Sequence, residues 1–485
     1  MENEQTQSSV FVSERNSKLG PWGLAAFVSC MVLAGWRVFS EELLSNFMPG
    51  LGITVTVTVM LFFSVLIAQK NGFLHLSPAG VICLFCTEAV AACYTLYGNK
   101  YMRLINLPVV TSFYVYTMFV LTSPDGSAVS FRGLMKAAGR FFTNCCRSIP
   151  VPFNALREFK TGHNRKHGHI STDAVIGIVI AAVVVPIVCL LLGSADVMFA
   201  GVFDGIGDRL GKFDFSAVAK ILFLMIPLGF ILFSQVFSPS LREEESVKGA
   251  PVDVASSVFT ATLIGIAIAF LLFGYIQVKY LFLGREAVSM KGGFAEYARS
   301  GFFQLVGVAF IALIVVQPAL ALSGDRPVTR VLCLAVSILT EVIVAPAFLR
   351  MRLYVSEYGL TILRVLVLWA TMVLGICFIA AAVKSIKPGI RIFAFVLFLV
   401  MVSWTLLSLV NPPEIIANYN VSAYEKGNLA KIDIDYLYDL LPASADEMDR
   451  LEDTPEGERK MHGAGRSWYD AAYLYEWSVE FTKMK

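Results

Sequence analysis

The sequence predicts an all-α fold: a polytopic transmembrane helical bundle of about eleven spans, closed by a small soluble helical tail. Three observations predict it. Eleven times the chain runs about twenty residues with at most one charged side chain, and polar connectors separate the runs. Charged residues make up only 16% of the chain, where soluble domains sit near 25%. Hydrophobic residues reach 56%, and the mean hydropathy is +0.67. A run of that length, helical at about 1.5 Å per residue, matches a hydrocarbon core of about 30 Å.

Residues 1–122 read as an N-terminal transmembrane region with spans near 19–38, 50–69, 78–97 and 104–122. A polar start of mixed charge precedes the first run without a small-residue cleavage site, so that run is expected to stay as an uncleaved anchor. The connector 123–173 carries Arg132, Lys136, Arg140, Arg147, Arg157, Lys160, Arg165 and Lys166 against Asp125 and Glu158. Basic connectors stay on the cytoplasmic side, which places this loop and the N-terminus inside. The segment 41–49 has no basic residue and 195–214 carries Asp196, Asp204, Asp208 and Asp214, as outer loops would. Residues 174–410 hold the second transmembrane region, with spans near 174–193, 216–237, 254–276, 301–322, 331–348, 362–383 and 392–410. Pro186, Pro227, Pro318 and Pro346 fall inside four of these spans, where proline removes a backbone bond and kinks a helix.

Residues 411–485 form an acidic tail with fifteen Asp/Glu and eight Lys/Arg, expected outside after an odd number of spans. Its stretch 433–441 alternates acidic and apolar positions as a short helix would, and Pro442 is the expected break before a new helix. Tyr469, Tyr473, Trp477 and Phe481, four apart, would line one face of a last helix.

The odd count of nine cysteines, most of them inside apolar runs, is no disulfide framework. Cys83, Cys86 and Cys93 are expected to pack as small hydrophobes. His163, His167 and His169 have no carboxylate or thiol beside them and three basic neighbours, so no metal is assigned. The connector reads instead as a basic loop against anionic lipid headgroups. Phosphate-binding, zinc-protease and serine-hydrolase motifs are not found in the sequence. No cofactor or nucleic-acid partner is expected, and the partner the chain implies is the bilayer.

Ionisable groups within a bilayer are costly and mark function. Glu88 and Glu341 lie near the middle of their runs and are the intramembrane candidates. Two boundary stretches each group a carboxylate, a tyrosine and an arginine: Glu296, Tyr297 and Arg299, then Glu357, Tyr358 and Arg364.

These stretches, with the segment after the last run, resemble a bacterial multi-span membrane family of unknown function, the DUF4173 group related to DUF4153. The matching residues are Gly293, Glu296, Tyr297, Ala298, Arg299, Gly301 and Phe302; then Tyr358, Gly359, Leu360, Thr361 and Arg364; then Asn411, Pro412, Ile416, Ala417, Tyr419 and Asn420. The resemblance runs over about residues 170–445, and the first 170 residues carry none of its motifs. It implies a multi-pass protein of the bacterial cytoplasmic membrane and supplies no activity. Three functions stay open. The first is transport of a small solute, lipid or proton past Glu88, Glu341 and the motif arginines. The second is a sensing or assembly component docking a partner through its tail or basic loop, and the third a membrane enzyme.

Overall fold

The computed structural model describes residues 21–39, 50–123, 129–148, 151–152, 224–237, 256–282, 302–322 and 326–452. Every regular element among them is helical: α1 (Pro21–Phe39), α2 (Gly50–Lys70), α3 (Pro78–Leu96), α4 (Lys100–Thr122), α5 (Phe131–Ser148), α6 (Ile226–Phe237), α7 (Ser256–Phe282), α8 (Phe302–Leu322), α9 (Pro327–Tyr358), α10 (Ile362–Ile386), α11 (Ile392–Leu409), α12 (Pro412–Glu425), α13 (Ile434–Asp439) and α14 (Ala445–Glu452). Eight of these, α2–α4 and α7–α11, are long and apolar enough to cross a membrane, and α1 and α6 are shorter apolar helices. The expected span at 174–193, with Pro186, lies outside the described residues, as does the first part of 216–237. The chain is therefore an all-helical membrane protein with eight candidate spans among the described residues.

Two elements depart from the sequence expectation. The span expected at 331–348 is a 32-residue helix, α9, about 48 Å long at 1.5 Å per residue and longer than the apolar core of a bilayer. Its last turns carry Arg350, Arg352 and Glu357, which end the apolar run without ending the helix. The basic connector is not all loop: α5 folds from Phe131, with the Ser130 hydroxyl accepting from the Gly133 N–H at 3.0 Å as an N-cap. Pro318 and Pro346 sit inside α8 and α9, and both helices continue through them.

By internal contacts the chain divides into two compact units. The first comprises residues 1–94, 109–126 and 135–246. Its core joins Ala26 and Cys30 of α1, Met60 and Leu61 of α2, Tyr114 and Leu121 of α4, and Phe233 and Phe237 of α6. Without aqueous solvent, helices associate through close packing of small residues and interhelical hydrogen bonds, and this unit uses both. A side chain on Gly229 would start 2.5 Å from the Met31 sulfur and 3.4 Å from the Met31 Cα, so glycine lets α6 and α1 approach closely with Met31 in its present rotamer. Ser64 and Tyr114 share a hydrogen bond at 2.6 Å, Thr87 and Thr117 another at 2.9 Å, and the Thr54 hydroxyl donates to Ala91 O at 2.6 Å. Cys30, Cys83, Cys86 and Cys93 are buried free thiols, packed as hydrophobes.

The second unit comprises residues 95–108, 127–134 and 247–485. Leu263 and Phe270 of α7, Ala309, Ala312 and Val316 of α8, Cys333 and Val336 of α9, and Phe378 of α10 form its transmembrane core. A second cluster builds the described tail onto the membrane boundary: Ile416, Ala417 and Val421 of α12, Leu437 of α13 and Met448 and Leu451 of α14 pack with Met102 and Ile362. The short helix and break expected at 433–442 are present as α13 and the turn before α14. The aromatic stripe 469–481 lies outside the described residues.

Candidate functional site

The two intramembrane carboxylates differ in their surroundings. Glu88 of α3 accepts a hydrogen bond from the Thr58 hydroxyl of α2 at 3.1 Å. Glu341 stands near the middle of α9, and its Oε1 is buried with no hydrogen-bond partner among the described residues. What it faces is the bare backbone of Gly375 in α10, where a Cβ would lie 3.6 Å from Glu341 Oε2. Thr340 beside it points its hydroxyl back to Val336 O at 2.7 Å and so offers the carboxylate nothing. A desolvated carboxyl oxygen left unpaired is expensive, and that makes Glu341 the prime candidate in this unit.

The motif residues gather at the corner between α9 and α10. Gly359 ends α9 with φ +74° and ψ −178°, a conformation essentially confined to glycine. A Cβ there would meet Asn420 Oδ1 at 2.6 Å, so the corner requires glycine for space as well. Asn420 of α12 reads the corner as a neighbouring strand would. Its Oδ1 accepts from Leu360 N–H at 2.6 Å and its Nδ2 donates to Leu360 O at 2.9 Å. Thr361 is the N-cap of α10 and accepts from Arg364 N–H at 3.3 Å. The Tyr436 hydroxyl of α13 accepts from Ile362 N–H at 2.7 Å, and burial pushes that phenol up to about 12.

Arg364 turns back from the first turn of α10 and donates to the Tyr358 and Gly359 carbonyls, at the negative end of α9. Its guanidinium lies 4.4 Å from the Tyr354 ring centroid, and the Tyr354 and Tyr358 rings are tilted against each other with centroids 4.9 Å apart. Sequence reasoning missed the partner of this arrangement. Arg330, in the first turn of α9, donates to Ser385 O at 2.9 and 3.0 Å and to Ile386 O at 3.2 Å, at the far end of α10. Each helix of the antiparallel pair thus uses an arginine to satisfy the other's last carbonyls. The available signal was an arginine one turn after the boundary proline Pro327, matching Arg364 one turn after Thr361.

Asn411 holds φ +50° at the N-cap of α12, ahead of Pro412 and Pro413, and its amide donates to Glu414 at 2.9 Å. Left-handed backbone is tolerated by asparagine better than by most residues. Tyr419 is half-exposed and lines an open groove of about 770 Å³ with Ser356, Val410, Glu414, Asn418 and Lys426. The structure therefore brings Tyr358, Thr361, Arg364 and Asn420 together in one corner, with Asn411 at the N-cap of α12 and Tyr419 midway along it. Glu296, Tyr297 and Arg299 lie outside the described residues.

A family model described as a domain of unknown function, DUF4153, matches residues 55–451. The chain belongs to the DUF4153 family. The match runs from α2 to α14, so DUF4153 takes in α2–α4, where the sequence shows none of the motifs, as well as the corner and the described tail. The further likeness to DUF4173 rests on motif alone. No curated protein and no solved structure matches the chain.

Proposed function

We propose that this membrane protein moves protons, or a small solute coupled to them, across the bilayer, with Glu341 as the group that accepts and releases the proton. One observation carries the reading: a mid-span carboxyl oxygen buried without a partner, facing a glycine that leaves room beside it. Unpaired ionisable groups inside a membrane mark ion pathways and proton relays. Arg364 and Arg330 are held by backbone carbonyls and serve the frame of α9 and α10. The test is a pH-gradient decay assay on the full chain in proteoliposomes. Glu341→Gln, which keeps the shape and loses the proton, is expected to remove protein-dependent decay.

A second reading has its own support. The described tail packs at the membrane boundary within the second unit and carries the groove along α12, as an anchored component holding a protein partner would. Tyr419→Ala with Lys426→Glu changes the groove without touching the tail core, and under this reading it abolishes partner capture while Glu341→Gln does not.

A further inference from the structure

We infer that α5 is an interfacial helix that lies in the headgroup layer and gathers anionic lipid. Four basic residues and no acidic one fall in Phe131–Ser148, and α5 is not among the helices apolar enough to span. Eight residues separate the helix from α4, the end of a candidate span, so it starts at the membrane boundary.

Its exposed arc carries the argument. Among the described side chains of α5, Gly133 and Ala137 are the buried positions, and such small residues let the helix axis lie close to its support. Phe131 packs edge-on against Phe393, the second residue of span α11, at 5.9 Å. Away from Gly133 and Ala137, Met135 (53% exposed) and Ala138 flank Phe131 as one border of the exposed arc, while Arg132 and Lys136 form the other. At about 100° per residue, Arg132 and Lys136 stand about 40° apart on one basic edge. An apolar edge beside a basic edge is the division that seats a helix in the interface plane. Basic side chains near an anionic leaflet each contribute a factor of about five to binding. The occupant that fits both edges is a phospholipid with a net negative headgroup: the phosphate meets Arg132 and Lys136, and the acyl region meets Met135 and Ala138. A soluble anion would use only the first pair.

The experiment uses the full chain in bilayers of equal phosphatidylglycerol and phosphatidylcholine, and measures the ratio of the two lipids retained on the protein. The wild type is expected to retain phosphatidylglycerol preferentially, with the preference falling as salt shortens the Debye length to about 3 Å near 1 M. Arg132→Gln with Lys136→Gln is expected to reduce the preference by up to about 25-fold at low salt, two factors of about five. Arg132→Lys with Lys136→Arg keeps the charge and is expected to keep the preference. Equal retention of both lipids by the wild type overturns the inference, as does a preference that survives high salt. Displacement of the lipid by millimolar glycerol phosphate would make the site one for small anions and also overturn it, and so would loss of the preference in the charge-keeping variant.

Discussion

At the scale of single residues, the family motifs are read best as backbone chemistry. Gly359 and Asn420 are complementary: one vacates the space that the other fills, and Asn420 then pairs both polar groups of Leu360. Asn420→Ala leaves an N–H and a carbonyl unpaired at a part-buried corner, and is expected to cost about 2–3 kcal/mol in detergent unfolding. Gly359→Ala adds a side chain to a strained backbone and is expected to cost at least as much. Unchanged unfolding in either variant would refute the pairing. Glu447 of α14 offers a pH test. It is buried, and desolvation raises its carboxyl above the usual value, although Asn418 donates to it at 3.3 Å. A carboxyl raised in the folded state supports folding while protonated and opposes it once ionised as the pH climbs past the unfolded pKa. Glu447→Gln is therefore expected to raise the melting temperature of the tail at pH 7 and to leave it unchanged below about pH 4, the unfolded range of a glutamate. Equal effects at both pH values would contradict that origin.

At the scale of elements, what was legible followed from hydropathy, and what was hidden lay where hydropathy and helix formation part company. Apart from the far end of α9, the apolar runs mark the ends of α2–α4 and α7–α11 to within about six residues, because each must satisfy its own backbone in lipid. The far end of α9 was missed because Arg350, Arg352 and Glu357 break the apolar run, whereas its hydrogen bonds simply continue beyond it. α5 was missed because its charges were counted as a sum; their fourfold spacing at 132, 136 and 140 shows the helix. Of the site, Glu341 could be found as a charge in an apolar run, but the direction of Arg364 toward carbonyls depends on the corner's backbone and no motif states it. The arginine exchange between α9 and α10 yields a further prediction. Arg330 and Arg364 are 34 residues apart, about 50 Å along the helix and its corner. Arg330→Gln and Arg364→Gln are each expected to cost about 1–3 kcal/mol and to add within about 0.5 kcal/mol in the double variant. Strong coupling between them would show that they do not act as two separate end clamps.

At the scale of the whole molecule, the two units give different weight to polar groups inside the membrane. In the first, Glu88 and its hydroxyl neighbours hold α2, α3 and α4 together through hydrogen bonds. In the second, the frame is set by apolar packing, by arginines at the helix ends and by the tail at the boundary, so Glu341 is left without a structural task. Glu88→Gln keeps an acceptor for Thr58 and is expected to leave both stability and flux near the wild type. The measurement that bears most directly on the account is therefore the decay of an imposed pH gradient in proteoliposomes carrying the wild type, Glu88→Gln or Glu341→Gln at equal density. The account predicts protein-dependent decay in the first two and decay no faster than empty liposomes in the third; decay in Glu341→Gln at the wild-type rate would contradict it.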